Sequence, residues 1–179
     1  MSTGAIEAAG VVRASSGDAL RALTLELREL YDEIAELLDD DQVERLPSYF
    51  TDDCMYQVVS KENHDQGLPQ ATIYCDGIGM LRDRVVALRE TQVYEPRAWR
   101  HFVSGVRVVG VQGDPAAGGE IRARGNFLVT EAMSDAEPTM LLVGRYLDRL
   151  VRRDGRLLFR ERLVVYDNYR VVRSLIVPV

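Results

Sequence analysis

Sulfur and imidazole are scarce in this chain, which has two cysteines, Cys54 and Cys75, and two histidines, His64 and His101, among 179 residues. The cysteines do not form a close metal pair, and no Cys-x-His or Cys-x-x-His spacing occurs. A centre that needs several thiolates and imidazoles therefore has no ligand set here. A bridge between the two cysteines is not expected in a reducing cytosol, so buried free thiols are the expected state. Lysine is rarer still, Lys61 standing alone against 21 arginines. That bias favours interface chemistry, because the planar guanidinium suits partner contacts better than an ammonium does. No apolar run approaches the ~20 residues of a membrane span. The segment Met1 to Gly17 has no basic stretch leading into an apolar one, which argues against a secretory signal. It reads as a flexible tail on a cytoplasmic protein. A net charge of -6 with no concentrated basic face argues against nucleic-acid binding.

What is present fits one globular domain. Hydrophobic residues make up 46% and charged residues 28% of the chain, and its length suffices for a real core. The expected organisation is a tail over 1–17 and a single domain over 18–179. Leu20, Leu23, Leu27, Leu30, Tyr31, Ile34, Leu37 and Leu38 follow the helical repeat, with Asp18 placed to cap that helix and the acidic run Asp39 to Asp41 at its end. A short helix carrying Pro47 is expected up to Phe50. A third helix should follow Asp76, with Ile78, Leu81, Val85 and Leu88 on one face and Arg82, Arg84 and Arg89 looking outward. Strands are expected at Cys54 to Ser60 and Ala71 to Cys75. After Trp99 the pattern becomes long strands: His101 to Val111, Glu120 to Met133, Thr139 to Arg152 and Arg156 to Asn168. Ile121, Ala123, Gly125, Phe127 and Val129 alternate against polar neighbours, so one sheet face is core and one is wet. Gln112 to Gly119 is the one linker candidate. Helices first and strands after predict an α+β fold, with three helices packed in a curved mixed or antiparallel sheet.

The most informative stretch is Gly144 to Asp167, where charges recur inside two apolar strands joined at Asp154-Gly155, a strong hairpin signal. A two-residue loop would oppose Asp148 to Glu161 and Arg149 to Arg160, and like charges directly opposed are destabilising. A three-residue loop, Arg153 to Gly155, instead sets Asp148 opposite Arg160 and leaves Glu161 diagonal to Arg145 and Arg149. The pattern alone is also that of a solvated sheet face.

The Gly-Arg-x-x-Asp-x-Leu strand, the strand ending Arg162 to Asp167 and the apolar C-terminal tail resemble the small (beta) subunit of aromatic-ring-hydroxylating dioxygenases. Glu62 to Leu68, Met80 to Glu90, Tyr94 and Arg100-His101 are similar to the branch serving benzoate-type substrates such as terephthalate or salicylate. The resemblance runs from about Leu23 to Val179. It implies the cone-like fold shared with nuclear transport factor 2 (NTF2), ketosteroid isomerase and scytalone dehydratase. It also implies a non-catalytic subunit in an alternating ring of three alpha and three beta chains, the beta chains self-associating as a trimeric base, with a Rieske [2Fe-2S] cluster and a mononuclear iron on the alpha chain. A Rieske cluster takes two Cys and two His, and the mononuclear iron takes two more His and a carboxylate. Those ligands cannot both be housed here, so no catalytic, cofactor or metal residues are expected on this chain.

Relatives with this cone are often small enzymes with an Asp or His base in the cavity. Asp53, His101 and Tyr31, with Tyr56, are the residues that could serve a free-standing isomerase or dehydratase, or a ligand-binding protein. Asp53 after Thr51-Asp52 reads more simply as a turn residue, and His101, in phase with Trp99 and Val103, as a core or interface histidine. His64 and Asp65 could suggest a metal, but adjacent residues diverge and a hard ion wants more oxygens. An Ω-type loop that meets the alpha chain is the preferred reading of Glu62 to Pro69. The structural and interface candidates are therefore Arg145, Asp148, Arg149, Arg160, Glu161, Arg162, Asp167, His64, Asp65 and Arg100, with Arg97 and the arginines of the third helix beside them.

Overall fold

Apolar residues three and four apart make the first element an amphipathic helix, α1 (Gly17–Asp39), whose Leu23, Leu27, Tyr31, Ile34, Leu37 and Leu38 are buried. Residues 17–91, 97–134, 136–169 and 178–179 of the chain are described by a computed structural model. Asp18 lies inside the first turn, paired with Arg21 at 3.6 Å, so it is not the residue before the helix. The expected tail, apart from Gly17, falls on residues outside those described, as do Tyr94 and most of the apolar C-terminal segment. The helix ends where Asp41 takes a positive φ of 56°. A 3-10 helix (Val43–Tyr49) carrying Pro47 then leads into β1 (Phe50–Ser60).

After β1 come α2 (Lys61–Asp65), β2 (Ile73–Asp76), α3 (Gly77–Thr91) and four long strands, β3 (Arg97–Gln112), β4 (Glu120–Met133), β5 (Ala136–Arg153) and β6 (Arg156–Tyr166). They form one six-stranded sheet in the order β2-β1-β6-β5-β4-β3. The β1–β6 pairing is parallel and every other pairing antiparallel, which makes the sheet mixed. Register shifts interrupt β3–β4, β4–β5 and β5–β6. Bulges add twist and bend, and this curls the sheet around its helices. Leu81, Val85 and Leu88 of α3 join the inward residues of α1 and of the strands in one hydrophobic cluster. This is the α+β cone that the sequence suggests.

Three expectations change. Gln112 to Gly119 is no interdomain linker but the β3–β4 connection, with a 3-10 turn (Pro115–Ala117) whose leading Asp114 side chain accepts the Ala116 N–H at 2.9 Å. Glu62 to Pro69 is not wholly loop, because Ser60 caps the short helix α2 by accepting the Asn63 N–H. The β5–β6 hairpin differs most. Arg153 pairs with Arg156, so the loop has two residues, and Asp154 and Gly155 both take positive φ, 50° and 79°. That is the turn an Asp-Gly pair favours. A bulge at Arg160 then slips the register by one, setting Arg149 opposite Glu161 and Asp148 opposite Arg162. Neither simple hairpin does this. The like-charge clash is avoided by the bulge rather than by a longer loop, and Asp148 does not face Arg160.

Candidate functional site

Strand alternation dictates which charges enter the cone. Asp148 lies in phase with buried Tyr146 and Leu150 on β5, and the Arg160 bulge brings Arg162 into the inward phase of β6 beside Phe159 and Val164. Both are 2% exposed. From α1, the Tyr31 hydroxyl donates to Asp148 Oδ2. The Arg162 guanidinium lies 4.1 Å from the Tyr146 ring centre, 5.0 Å from Phe159 and 5.3 Å from Tyr31, so cation–π contacts add to the attraction of the Asp148 charge. Asp148 Oδ1 and Arg162 Nε and Nη1 have no hydrogen-bond partner among the described residues. Burial pushes the Asp148 carboxyl up to about 6, with Arg162 and the Tyr31 hydrogen bond pulling the other way. Burial and the neighbouring Asp148 hold the Tyr31 hydroxyl well above its usual value. Rings fill the surrounding space: Tyr31 meets Tyr146 edge-on at 5.7 Å and Phe159 at 5.9 Å, and Phe127 stacks on Tyr146 at 4.7 Å. The network ties α1 to β5 and β6 in a packed interior.

The residues offered as possible bases are not brought together. Tyr31 is committed to Asp148, and Tyr56 is buried with its hydroxyl on the Val179 backbone at 2.9 and 3.3 Å. His101 is held at the junction of α1 and β3, where Asp39 accepts from its backbone N–H at 3.0 Å and lies 2.7 Å from its Nδ1. Arg100 sits 3.9 Å from the same carboxylate. Asp53 lies outside the cone with its side chain 64% exposed, 3.5 Å from Arg160. No acid–base pair assembles from this set.

Asp65 is met by three cationic or imidazole groups: Lys61, His64 Nδ1 at 3.2 Å and Arg145 at 3.9 Å. Among the described residues, no three His, Cys, Asp or Glu side chains gather as metal ligands. Cys54 and Cys75 are free and buried on neighbouring strands, and burial lifts the Cys54 thiol to about 11. A pocket of about 550 Å³ beside α2 is lined by Lys61, Glu62, Asp65, Tyr166 and Asp167 among others. Exposed Asp167 continues the chain from β6, its N–H donating to the Val143 carbonyl at 2.8 Å.

The outer sheet face gathers the remaining candidates. Arg149 reaches Glu161 at 3.1 Å and Glu120 at 2.7 Å, and Arg122 reaches Glu120 at 3.2 Å. So Glu161 does face Arg149, but Arg145 turns to Asp65 instead. Arg107, Arg124 and Arg145 border a depression of about 310 Å³ at the Gly105 bulge. The expectation of no concentrated basic face is thereby corrected, because strand alternation collects arginines that are scattered in sequence. Arg89 does not look outward either; it clasps Asp41 at 2.8 Å, together with Glu44. Arg97 pairs at 2.9 Å with Glu131, which is 1% exposed. Glu131 escaped the sequence reading although it continues the inward phase of Ile121 to Val129.

Comparison with known proteins agrees with this architecture. The family model described as ring hydroxylating beta subunit matches residues 33–173. The small subunit of anthranilate 1,2-dioxygenase from Burkholderia cepacia is 41% identical over 142 residues, 79% of this chain and 85% of that one. A beta subunit of the terminal oxygenase component of terephthalate 1,2-dioxygenase from a Comamonas species is 35% identical over 134 residues, 75% of this chain and 84% of that one. A solved beta subunit assigned to an aromatic-ring-hydroxylating dioxygenase of Novosphingobium aromaticivorans superposes with a TM-score of 0.78 at 34% identity. That likeness covers 89% of this chain and 98% of the other.

Proposed function

The chain belongs to the ring hydroxylating beta subunit family, and from that premise we propose that its own part in the oxidoreductase is assembly rather than chemistry. As a small subunit of a multicomponent ring-hydroxylating dioxygenase, it works with an alpha oxygenase chain. In our reading that partner carries the Rieske [2Fe-2S] cluster and the mononuclear iron. Three alpha and three beta chains then alternate in a closed cytoplasmic complex of cyclic symmetry. The relatives acting on anthranilate and terephthalate support an aromatic substrate bearing a carboxylate.

The observation that carries the non-catalytic reading is the filled interior. Where a free-standing enzyme of this shape would keep a cavity with a base, Tyr31, Tyr146 and Phe159 pack around Asp148 and Arg162. The arrangement holds the helix in the cone. A general base contributes roughly a hundredfold or more to rate. In the assembled complex, Asp53→Ala and His101→Ala are therefore expected to leave turnover per iron within about threefold of wild type, a margin well short of that. A loss beyond about a hundredfold, with the complex intact by sizing, would return the base to this chain.

A further inference from the structure

One contact inside the cone joins a strand to residues outside every described helix and strand. Tyr56 of β1, Arg162 of β6 and Asp148 of β5 stand in register on the inner side of the sheet, each at most 2% exposed. Neighbouring strands lie about 5 Å apart, so the three side chains form one polar row. Asp148 is met by Tyr31, but Arg162 Nε and Nη1 have no hydrogen-bond partner among the described residues. Tyr56 is met by Val179. The Val179 N–H donates to the Tyr56 hydroxyl at 2.9 Å, and that hydroxyl donates to the Val179 carbonyl oxygen at 3.3 Å. Pro178 and Val179 are buried, Val179 to 4% exposure, yet neither belongs to a helix or strand. Burial raises the Tyr56 hydroxyl above its usual value, while the Val179 contact and the Arg162 charge oppose that rise. Phe50 stands edge-on to Tyr56 at 6.1 Å, and 5.4 Å from Phe159, which continues the rings around Arg162.

We propose that Val179 is a displaceable plug in a ligand seat at Tyr56, and that the guest fitting this seat is a small neutral aromatic amide. The Tyr56 hydroxyl accepts from an N–H and donates to a carbonyl oxygen, so a guest that replaces Val179 needs both. A ring in place of the valine side chain packs against Phe50. The orphaned Arg162 donors lie one strand over from Tyr56, available to a carbonyl oxygen that the Val179 peptide does not bring to them. Asp148 and Arg162 carry opposite charges. A neutral guest leaves that row balanced, whereas an ion buries a charge with no counter-charge. One valine side chain and two hydrogen bonds hold the plug, favouring the seated state by about a hundredfold. A guest must displace it, so the apparent affinity of the wild-type chain is lower by that factor. The inference rests on the interior alone and is independent of the assembly proposed above.

The test titrates benzamide into the full chain, with ionised benzoate at neutral pH as its charged counterpart, and follows the tyrosine ring resonances by NMR. Val179→Asp puts a charge that the apolar seat rejects, so the plug leaves. Benzamide should then bind about a hundredfold more tightly than to wild type, shifting the Tyr56 ring signals. Val179→Ala keeps the backbone contacts and loses two methyl groups, so a gain of about tenfold is expected there. That milder variant carries the test if Val179→Asp does not fold, and melting curves verify which variants do. Adding Tyr56→Phe to the opened chain removes the hydroxyl and should weaken benzamide by about tenfold. Benzoate should bind more weakly than benzamide throughout. Folded Val179 variants that bind benzamide no more tightly than wild type would overturn the proposal. So would benzoate binding as tightly as benzamide, affinity indifferent to Tyr56→Phe, or binding that leaves the Tyr56 ring signals unmoved.

Discussion

Asp148 sits under two opposing demands, since burial penalises its charge while Arg162 across the hairpin and the Tyr31 hydroxyl favour it. Burial prevails and lifts the carboxyl to about 6 in the folded chain, against about 3.9 in an unfolded one. A folded-state value above the unfolded one means that the native chain holds the proton more tightly. The resulting stability is fully present below about pH 4 and is lost as pH rises through 6. The stability of wild type minus that of Asp148→Asn, from urea unfolding, should therefore fall by about 2–3 kcal/mol between pH 4 and pH 7. A difference that rises with pH would show Arg162 outweighing burial. At neutral pH, Asp148→Ala leaves the buried guanidinium without its counter-charge and should cost about 3–5 kcal/mol in the lone subunit. Asp148→Leu combined with Arg162→Met should recover most of that, because an apolar pair of similar volume carries no desolvation penalty. A cost below about 1 kcal/mol for Asp148→Ala would mean that the site is in effect solvated. Charged residues inside apolar strands signal that something is buried there. Which partner meets which was not legible, because it depends on one extra residue, Arg160, that no local pattern marks as a bulge.

At the scale of elements, periodicity located α1, α3 and the four long strands closely, because each buries a single face and the hydrophobic repeat records it. It failed where chain geometry departs from the repeat, as in the slipped β5–β6 register and in the helical start of the Glu62 to Pro69 segment. Ion pairs between elements distant in sequence leave no periodic trace, so the Arg89 clasp and the His101–Asp39 lock emerge only in three dimensions. The β5–β6 pairing also depends on Gly144. A Cβ there would lie 2.1 Å from the Val165 carbonyl oxygen and 2.8 Å from Tyr166 Cα, so backbone rather than a flexible side chain would have to move. Gly144→Ala should cost at least about 3 kcal/mol in unfolding free energy, at the upper end of overpacking effects. Gly155→Ala, where nothing lies within 4 Å of the added carbon, should cost only the positive-φ penalty of about 1–2 kcal/mol. Equal costs at the two glycines would show that the strands separate easily.

For the molecule as a whole, the family was legible because its motifs lie in strands and loops that the sequence displays directly. The two-faced charge distribution was not, since summing to -6 hides an arginine surface backed by an acidic helix. Interior and exterior divide the work. The packed network ties α1 to β5 and β6, and in the proposed assembly the charged faces are left for neighbours. Among the described residues no helix is long and apolar enough to cross a membrane. In the proposed function this chain contributes assembly to an oxygenase whose metals reside on another chain. That claim is tested most directly by native mass spectrometry with metal analysis, on the chain purified alone and co-expressed with a large chain bearing Rieske and mononuclear iron ligands. The account predicts an equimolar complex of three and three, with iron and sulfide accompanying the large chain and neither bound to this one alone. Stoichiometric iron or sulfide on the lone chain, or failure to bind the large chain, would contradict it.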